Sequence, residues 1–321
     1  MKRKWIRRVS WILLTPVLLF VILMILLYIP PVQNLLRREV TAYASKATGM
    51  QIQVERIDLR FPLNLLVRGV EVIQQPDTLL SLESLNVRVQ AWPLVKGKVE
   101  VDEVTLSQVA FNSANLIEGM KIKGVLGRFF LQSHGVDLSN ELAVINQTEL
   151  SDTHVQMLMN DTTTTPKDTT ASAPVNWKVD LHKLKLKNVS FSMQLPADSM
   201  RMAAHIGEAF INDAQADLKN QFYELKQFLL SGSSANYDTG AAKPGEGFDA
   251  SHIAVRDIRI GLDSLLYKSR DMNAVIREFS MNERSGLSIT SLTGRAFSND
   301  SIIRIPGIKL QTPHSEIDLS A

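Results

Sequence analysis

The 321-residue chain has no cysteine, which excludes a disulfide framework, a thiolate metal site and a cysteine nucleophile. Aromatic residues make up only 7%, and the 12 prolines and 16 glycines are scattered rather than repeated, so the composition is neither collagenous nor broadly disordered. A clustered basic face is missing as well. The formal charge is +2, but Lys2, Arg3, Lys4, Arg7 and Arg8 supply five of the 35 basic residues; without them 30 basic residues face 33 acidic ones, a net charge of −3. Nucleic-acid binding draws on concentrated positive charge, and no nucleic-acid partner is expected.

Local catalytic signatures are absent too. His134, His154, His182, His205, His252 and His314 are never fewer than 20 residues apart, so no metal-binding helix motif exists. Gly119, Gly124 and Gly127 lack the spacing and the terminal Lys-Ser/Thr of a phosphate loop. No Gly-x-Ser-x-Gly elbow occurs. Asp102 and Glu103 are neighbours in a strand pattern and point to opposite faces. No enzyme activity, cofactor or metal is expected.

What the chain does contain is one long apolar run. From Trp11 to Ile29 there are 19 residues without a charge, which as a helix reach about 28 Å, close to the thickness of a bilayer's hydrocarbon. Residues 11–29 are read as a transmembrane helix with Trp11, Phe20 and Tyr28 as anchor residues. Tyr28, Ile29, Pro30 and Pro31 offer no small-residue cleavage site, which favours an uncleaved anchor over a signal peptide. The basic tail at residues 1–10 predicts a cytoplasmic N-terminus, with everything past residue 31 on the far side.

Pro30 and Pro31 open the next element. Val32, Leu35, Leu36, Val40, Tyr43, Ala44 and Ala47 fall at helical spacings, and Gly49 sits where a C-terminal cap belongs. The spacing predicts an amphipathic helix over residues 30–48. Its apolar stripe is expected to cap the domain that follows, the alternative being a helix lying on the membrane surface.

After Gly49 the period becomes two. Ile52 and Val54, then Ile57 and Leu59; Leu85, Val87 and Val89; Val99 and Val101, then Val104 and Leu106, then Val109 and Phe111 all alternate with polar residues, the mark of strands with one apolar face. Odd steps, such as Val54 to Ile57 and Val101 to Val104, shift the pattern by one residue as a bulge or short turn would, and imply curvature. Three segments read alike, beginning at Val101, Val179 and Ile253. Residues 217–230 suit a helix or a strand, and their neighbours favour a strand. Two breaks, 160–174 and 231–250, are too polar to order themselves and are read as flexible loops. They divide the β region into sections at 49–159, 175–230 and 251–321, and a domain boundary at either break stays open.

The order of parts carries a resemblance. An anchor and a short helix lead into Val54-Glu55-Arg56-Ile57-Asp58-Leu59-Arg60-Phe61-Pro62-Leu63, then Asp77-Thr78-Leu79-Leu80-Ser81-Leu82-Glu83-Ser84-Leu85, and later Glu283-Arg284-Ser285-Gly286-Leu287 and Leu310-Gln311-Thr312-Pro313. This resembles the N-terminal region of the AsmA-like superfamily and, within it, the TamB (translocation and assembly module subunit) family in its Bacteroidetes form. The resemblance implies a curved antiparallel β-sheet forming an open hydrophobic groove, which rises from the bacterial inner membrane into the periplasm. It also implies carriage of phospholipid toward the outer membrane, assistance to outer-membrane protein assembly, and an outer-membrane barrel assembly protein as partner. Val87, Val89, Val99, Val101, Val104 and Leu106 are the candidate lining of the groove. Alternation alone fits an ordinary sandwich equally well. TamB proteins run far beyond this length, so a chain ending at Ala321 is expected to be a fragment, lacking the region that meets the barrel. The competing function is that of a single-span periplasmic scaffold or signalling protein whose β-domain binds a protein partner; a cytoplasmic tail this short leaves little for signalling.

Overall fold

The computed structural model describes residues 29–60, 63–90, 92–93, 100–137, 140–159, 176–240 and 243–319. The expected transmembrane segment, including Trp11, Phe20 and Tyr28, therefore lies outside the described residues, except for Ile29. Among those described, no helix is long and apolar enough to cross a membrane.

One α-helix, α1 (Pro30–Thr48), leads the fold. Proline suits its first turn, where an N–H would have no partner. It ends at Gly49, whose φ of 70° is left-handed and whose N–H donates to the Ser45 carbonyl at 3.0 Å. The helix lies along the first strand, but not by its apolar stripe. Gln33 Nε2 donates to the Leu59 carbonyl at 3.3 Å, Arg37 Nη1 to the Glu55 carbonyl at 3.0 Å, and Ser45 Oγ accepts from the Ile52 N–H at 3.1 Å. These residues, with Thr41, recur at multiples of four and form one helical row. Capping by apolar side chains is thus corrected: Leu35, Val40 and Tyr43 are exposed, because the edge of a strand presents backbone groups that polar side chains satisfy better.

The rest is one sheet. Its strands are β1 (Gln51–Arg60), β2 (Asn64–Gln74), β3 (Asp77–Val89), β4 (Val101–Asn112), β5 (Met120–Asp137), β6 (Leu142–Met159), β7 (Lys178–Leu195), β8 (Met200–Asp217), β9 (Phe222–Asp238), β10 (His252–Lys268) and β11 (Asp271–Glu283). Shorter strands follow: β12 (Ser288–Ile289), β13 (Ser291–Ser298), β14 (Ile303–Arg304), β15 (Ile308–Gln311) and β16 (Glu316–Leu319). Sequence neighbours pair in order from β1 to β11, then β13, β15 and β16, with β12 on β11 and β14 on β13. The ends do not meet, so the sheet is open. Fourteen strands along this path give a width of about 62 Å at ~4.8 Å per step. Strands β5 to β8 each run 18 residues, or about 60 Å.

Two sequence expectations need correcting. The sheet is not wholly antiparallel, since β6 and β7 pair in parallel. Met159 and Lys178 thus lie at opposite ends of the pair, separated by 18 residues, within the range a crossover requires. The second concerns the tract at 231–250, whose first eight residues are strand: β9 continues to Asp238, hydrogen-bonded to β8 on one side and β10 on the other. Its small residues fit between these neighbours, and Ser233 is 3% exposed. The break at 160–174 lies outside the described residues. Hydrogen bonding continues across both breaks, from β6 to β7 and from β9 to β10.

No second layer covers the sheet among the described residues. Only six apolar side chains there are buried, and no large side chain is fully enclosed.

Candidate ligand-binding face

Paired residues on adjacent strands share a face of the sheet, so the register traces what each face presents. One row runs Ile57, Val67, Leu85, Leu106, Phe129, Leu150, Leu186, Ala209, Leu230, Ile260 and Phe279, each the partner of the next, from β1 to β11. Every member is apolar. Ten steps at ~4.8 Å make the row about 48 Å long. A second row two residues along runs from Leu59 and Leu65 through Val87, Val104 and Leu131 to Leu184, Ile211 and Phe228, broken only by Thr148.

Past this band the strands break step together. In β7 the order is Leu184, Lys185, Leu186, Lys187, Asn188, Val189, Ser190, Phe191: apolar residues two apart, then three, then two. Lys187 and Asn188 are both exposed, as are Glu55 and Arg56, Ser231 and Gly232, and Arg256 and Asp257. The reason is conformational. Gly69, Gln108, Asp152, Asn188, Gly232 and Asp257 have φ between 51° and 59°, a left-handed turn that re-aims the strand within the ladder. The register places Glu55, Gly69, Glu83, Gln108, Gly127, Asp152, Asn188, Gly207 and Gly232 in one transverse line across β1 to β9. Every residue on it is polar or glycine, and the line forms a crease.

A second crease lies five residues away in β4 and in β6 to β9, at Asp102-Glu103, Asn146-Gln147, His182-Lys183, Asn212-Asp213 and Lys226-Gln227. Asp213 is left-handed there, at φ 48°. This second crease carries local polar pairs: His182 Nδ1 lies 3.2 Å from Asp213 Oδ1, and Asn212 Nδ2 donates to Gln227 Oε1 at 2.6 Å. The hydrogen bond with His182 comes first among the groups that hold the Asp213 carboxyl below its ordinary value.

The odd steps therefore do not move the apolar residues to the other face. They keep them on one face across the left-handed positions. Beyond the first crease the same face continues as Ile52, Val72, Leu80, Phe111, Gly124, Val155, Phe191, Ala204, Ala235 and Val255. Gly124 makes room for its partner, since a Cβ there would lie 2.5 Å from the Phe111 ring. The opposite face carries Arg56, Arg68, Ser84, Ser107, Arg128, Ser151, Lys187, Glu208 and Ser231 in register.

Five of the six candidate lining residues meet on the apolar face. Val87 pairs with Val104 and Val89 with Val101, and Leu106 pairs with Leu85. Val99 lies outside the described residues. Near the end of the face distal to the first crease, a concavity of about 250 Å³ is lined by Val179, Leu181, Ala214, Tyr223, Leu225 and Leu265. The Tyr223 and Tyr267 rings stand 5.8 Å apart beside it. Periodicity finds the alternation and two of the odd steps; the continuous rows and the creases need the register between distant strands.

Two further carboxyls have displaced pKa values, Asp249 in the loop between β9 and β10 and Glu283 at the end of β11. Asp249 is held at about 2 by hydrogen bonds from the Gly245 N–H, the Ser251 N–H and His252, and Glu283 is lowered by hydrogen bonds centred on Ser285. Glu283 Oε2 accepts from the Ser285 N–H at 2.6 Å and Oε1 from the Ala254 N–H at 3.3 Å, so the Glu283-Arg284-Ser285-Gly286 string is a bracing turn between β11 and β12. Among the described residues no three His, Asp or Glu side chains are placed to hold a metal ion.

No protein-family model matches the chain, and no curated protein is significantly similar to it.

Proposed function

We propose that the apolar face binds the acyl chains of phospholipid and forms a groove for carrying lipid through the periplasm toward the outer membrane. One observation supports this above the rest: eleven strands present an unbroken apolar row, in which only Ile57 and Ala209 are buried and the other nine side chains stay half-exposed. A soluble monomer rarely leaves so long an apolar row partly in water. Three rows, at Ile52, Ile57 and Leu59 in β1, span seven residue steps or about 23 Å, which is wider than the half-bilayer length of one acyl chain, about 15 Å. Each methylene taken out of water contributes about 0.8 kcal/mol, so a lipid crossing an aqueous space gains most from a track that stays apolar along its whole length.

The same proposal includes an inner-membrane anchor at residues 11–29 with the N-terminus cytoplasmic, and membership of the TamB family in the AsmA-like superfamily. Assistance to outer-membrane protein assembly, with a barrel protein as partner, rests on the resemblance alone. The full chain extracted in mild detergent and analysed for bound phospholipid tests the reading. We expect co-purifying phospholipid that falls severalfold in Val101→Lys and is retained in Asp102→Lys, since Val101 belongs to the apolar face and Asp102 to the second crease. Lipid-free protein, or equal loss in both variants, would overturn it.

A further inference from the structure

We propose that α1 lies on the bilayer surface by its exposed apolar side, so that one helix clamps the edge of the sheet and seats that edge on the membrane. The two sides of α1 divide the work. Gln33, Arg37 and Ser45 hold the backbone of β1, and Thr41, in the same row, has a buried hydroxyl oxygen that makes no hydrogen bond. Val40, Tyr43 and Ala47 project about a third of a turn away from this row at 100° per residue. Val40 is 45% exposed and Tyr43 is 76% exposed. These residues recur at spacings of three and four and thus form one stripe.

The occupant follows from the adjoining sequence. The 19 uncharged residues from Trp11 end at Ile29, one residue before α1 begins, and a run of that length and composition belongs in hydrocarbon. A helix joined to it without a spacer starts at the membrane boundary. Tyrosine is favoured at that depth, its ring in the apolar boundary and its hydroxyl in water. Lys46 borders the stripe, where a long basic side chain reaches phosphate headgroups. Arg38 and Ala42 lie on the far side of the helix from the stripe at 100° per residue. A second copy of the chain would bury the same side chains and would show itself as spin–spin broadening between labels.

This inference stands independently of what the sheet carries. The lack of cysteine allows a direct test. Single cysteines at Val40, Tyr43, Arg38 and Ala42 of the full chain, spin-labelled and reconstituted into vesicles of phosphatidylethanolamine and phosphatidylglycerol, report accessibility to oxygen and to a water-soluble nickel chelate. All four positions are exposed, so labelling leaves the fold intact. We expect labels at 40 and 43 to favour oxygen over the chelate and labels at 38 and 42 to show the reverse. Equal accessibility at all four positions would overturn the proposal, as would spin–spin broadening at 43, the signature of a second copy. If Tyr43 stays in water while phospholipid still co-purifies, the surface-helix inference fails and the lipid-carrying reading does not.

Discussion

Asn188 Nδ2 donates to Asp152 Oδ1 at 2.8 Å across the parallel pair of β6 and β7, and both residues hold left-handed backbone, each at φ 52°. Asparagine and aspartate tolerate this conformation better than other side chains that carry a Cβ. Here the pair also closes its own hydrogen bond where the ladder is interrupted. The crease therefore has a chemistry as well as a geometry: residues that can turn left, facing residues that leave them room.

Replacing Asn188 separates the two contributions. Asn188→Gly keeps the turn and loses the hydrogen bond, whereas Asn188→Val loses both and places a β-branched residue in the left-handed region. Denaturant unfolding in detergent should find the valine variant less stable than the glycine variant by about 1–2 kcal/mol. Equal stabilities would mean that the left-handed turn at Asn188 is not needed.

Gly207 tests the room. A Cβ there would lie 2.5 Å from the Gly232 carbonyl oxygen, a backbone atom that cannot swing aside. Gly207→Ala should destabilise by about 1–3 kcal/mol. Gly245 has nothing closer than 3.9 Å, so Gly245→Ala should stay within about 0.5 kcal/mol of the parent. The same unfolding assay reads both.

How much of this is legible in the sequence depends on the range of the interaction. Alternation at Leu85, Val87 and Val89 declares a strand, and Gly49 declares the end of α1, because both are settled by near neighbours. The step from Val54 to Ile57 is visible, but its meaning is not: whether an odd step inverts a face or preserves it depends on the backbone at Gly69 across the ladder. Parallel pairing of β6 and β7 is illegible because the alternation in Leu181 to Phe191 is the same for either strand direction. Ser231 to Tyr237 resembles a loop because small polar residues order only when both sides are paired. In α1 the apolar stripe misleads, since the partner is a strand edge with backbone groups to satisfy, which Gln33, Arg37 and Ser45 can do.

Acid should release one loop before the sheet. The Asp249 carboxyl is held at about 2 against an ordinary 3.8, first by the Gly245 N–H and then by the Ser251 N–H and His252. A depressed carboxylate favours the folded loop fully above the ordinary value of 3.8, and that contribution is lost as pH falls through about 2. Proton chemical shifts of Gly245 and Ser251 should therefore move together across this window, and Asp249→Asn should abolish the step. Shifts that stay flat in the parent chain would remove Asp249 as the loop's latch.

Lipid held on one face of the sheet is within reach of site-specific photocrosslinking. A benzophenone side chain at Phe191, on the apolar face and 38% exposed, is compared with one at the exposed Lys185, on the opposite face six residues earlier in the same strand. After irradiation of the full chain in its native membrane, phospholipid should be found attached at position 191 and absent at position 185. Attachment at both positions alike, or at neither, would contradict the account.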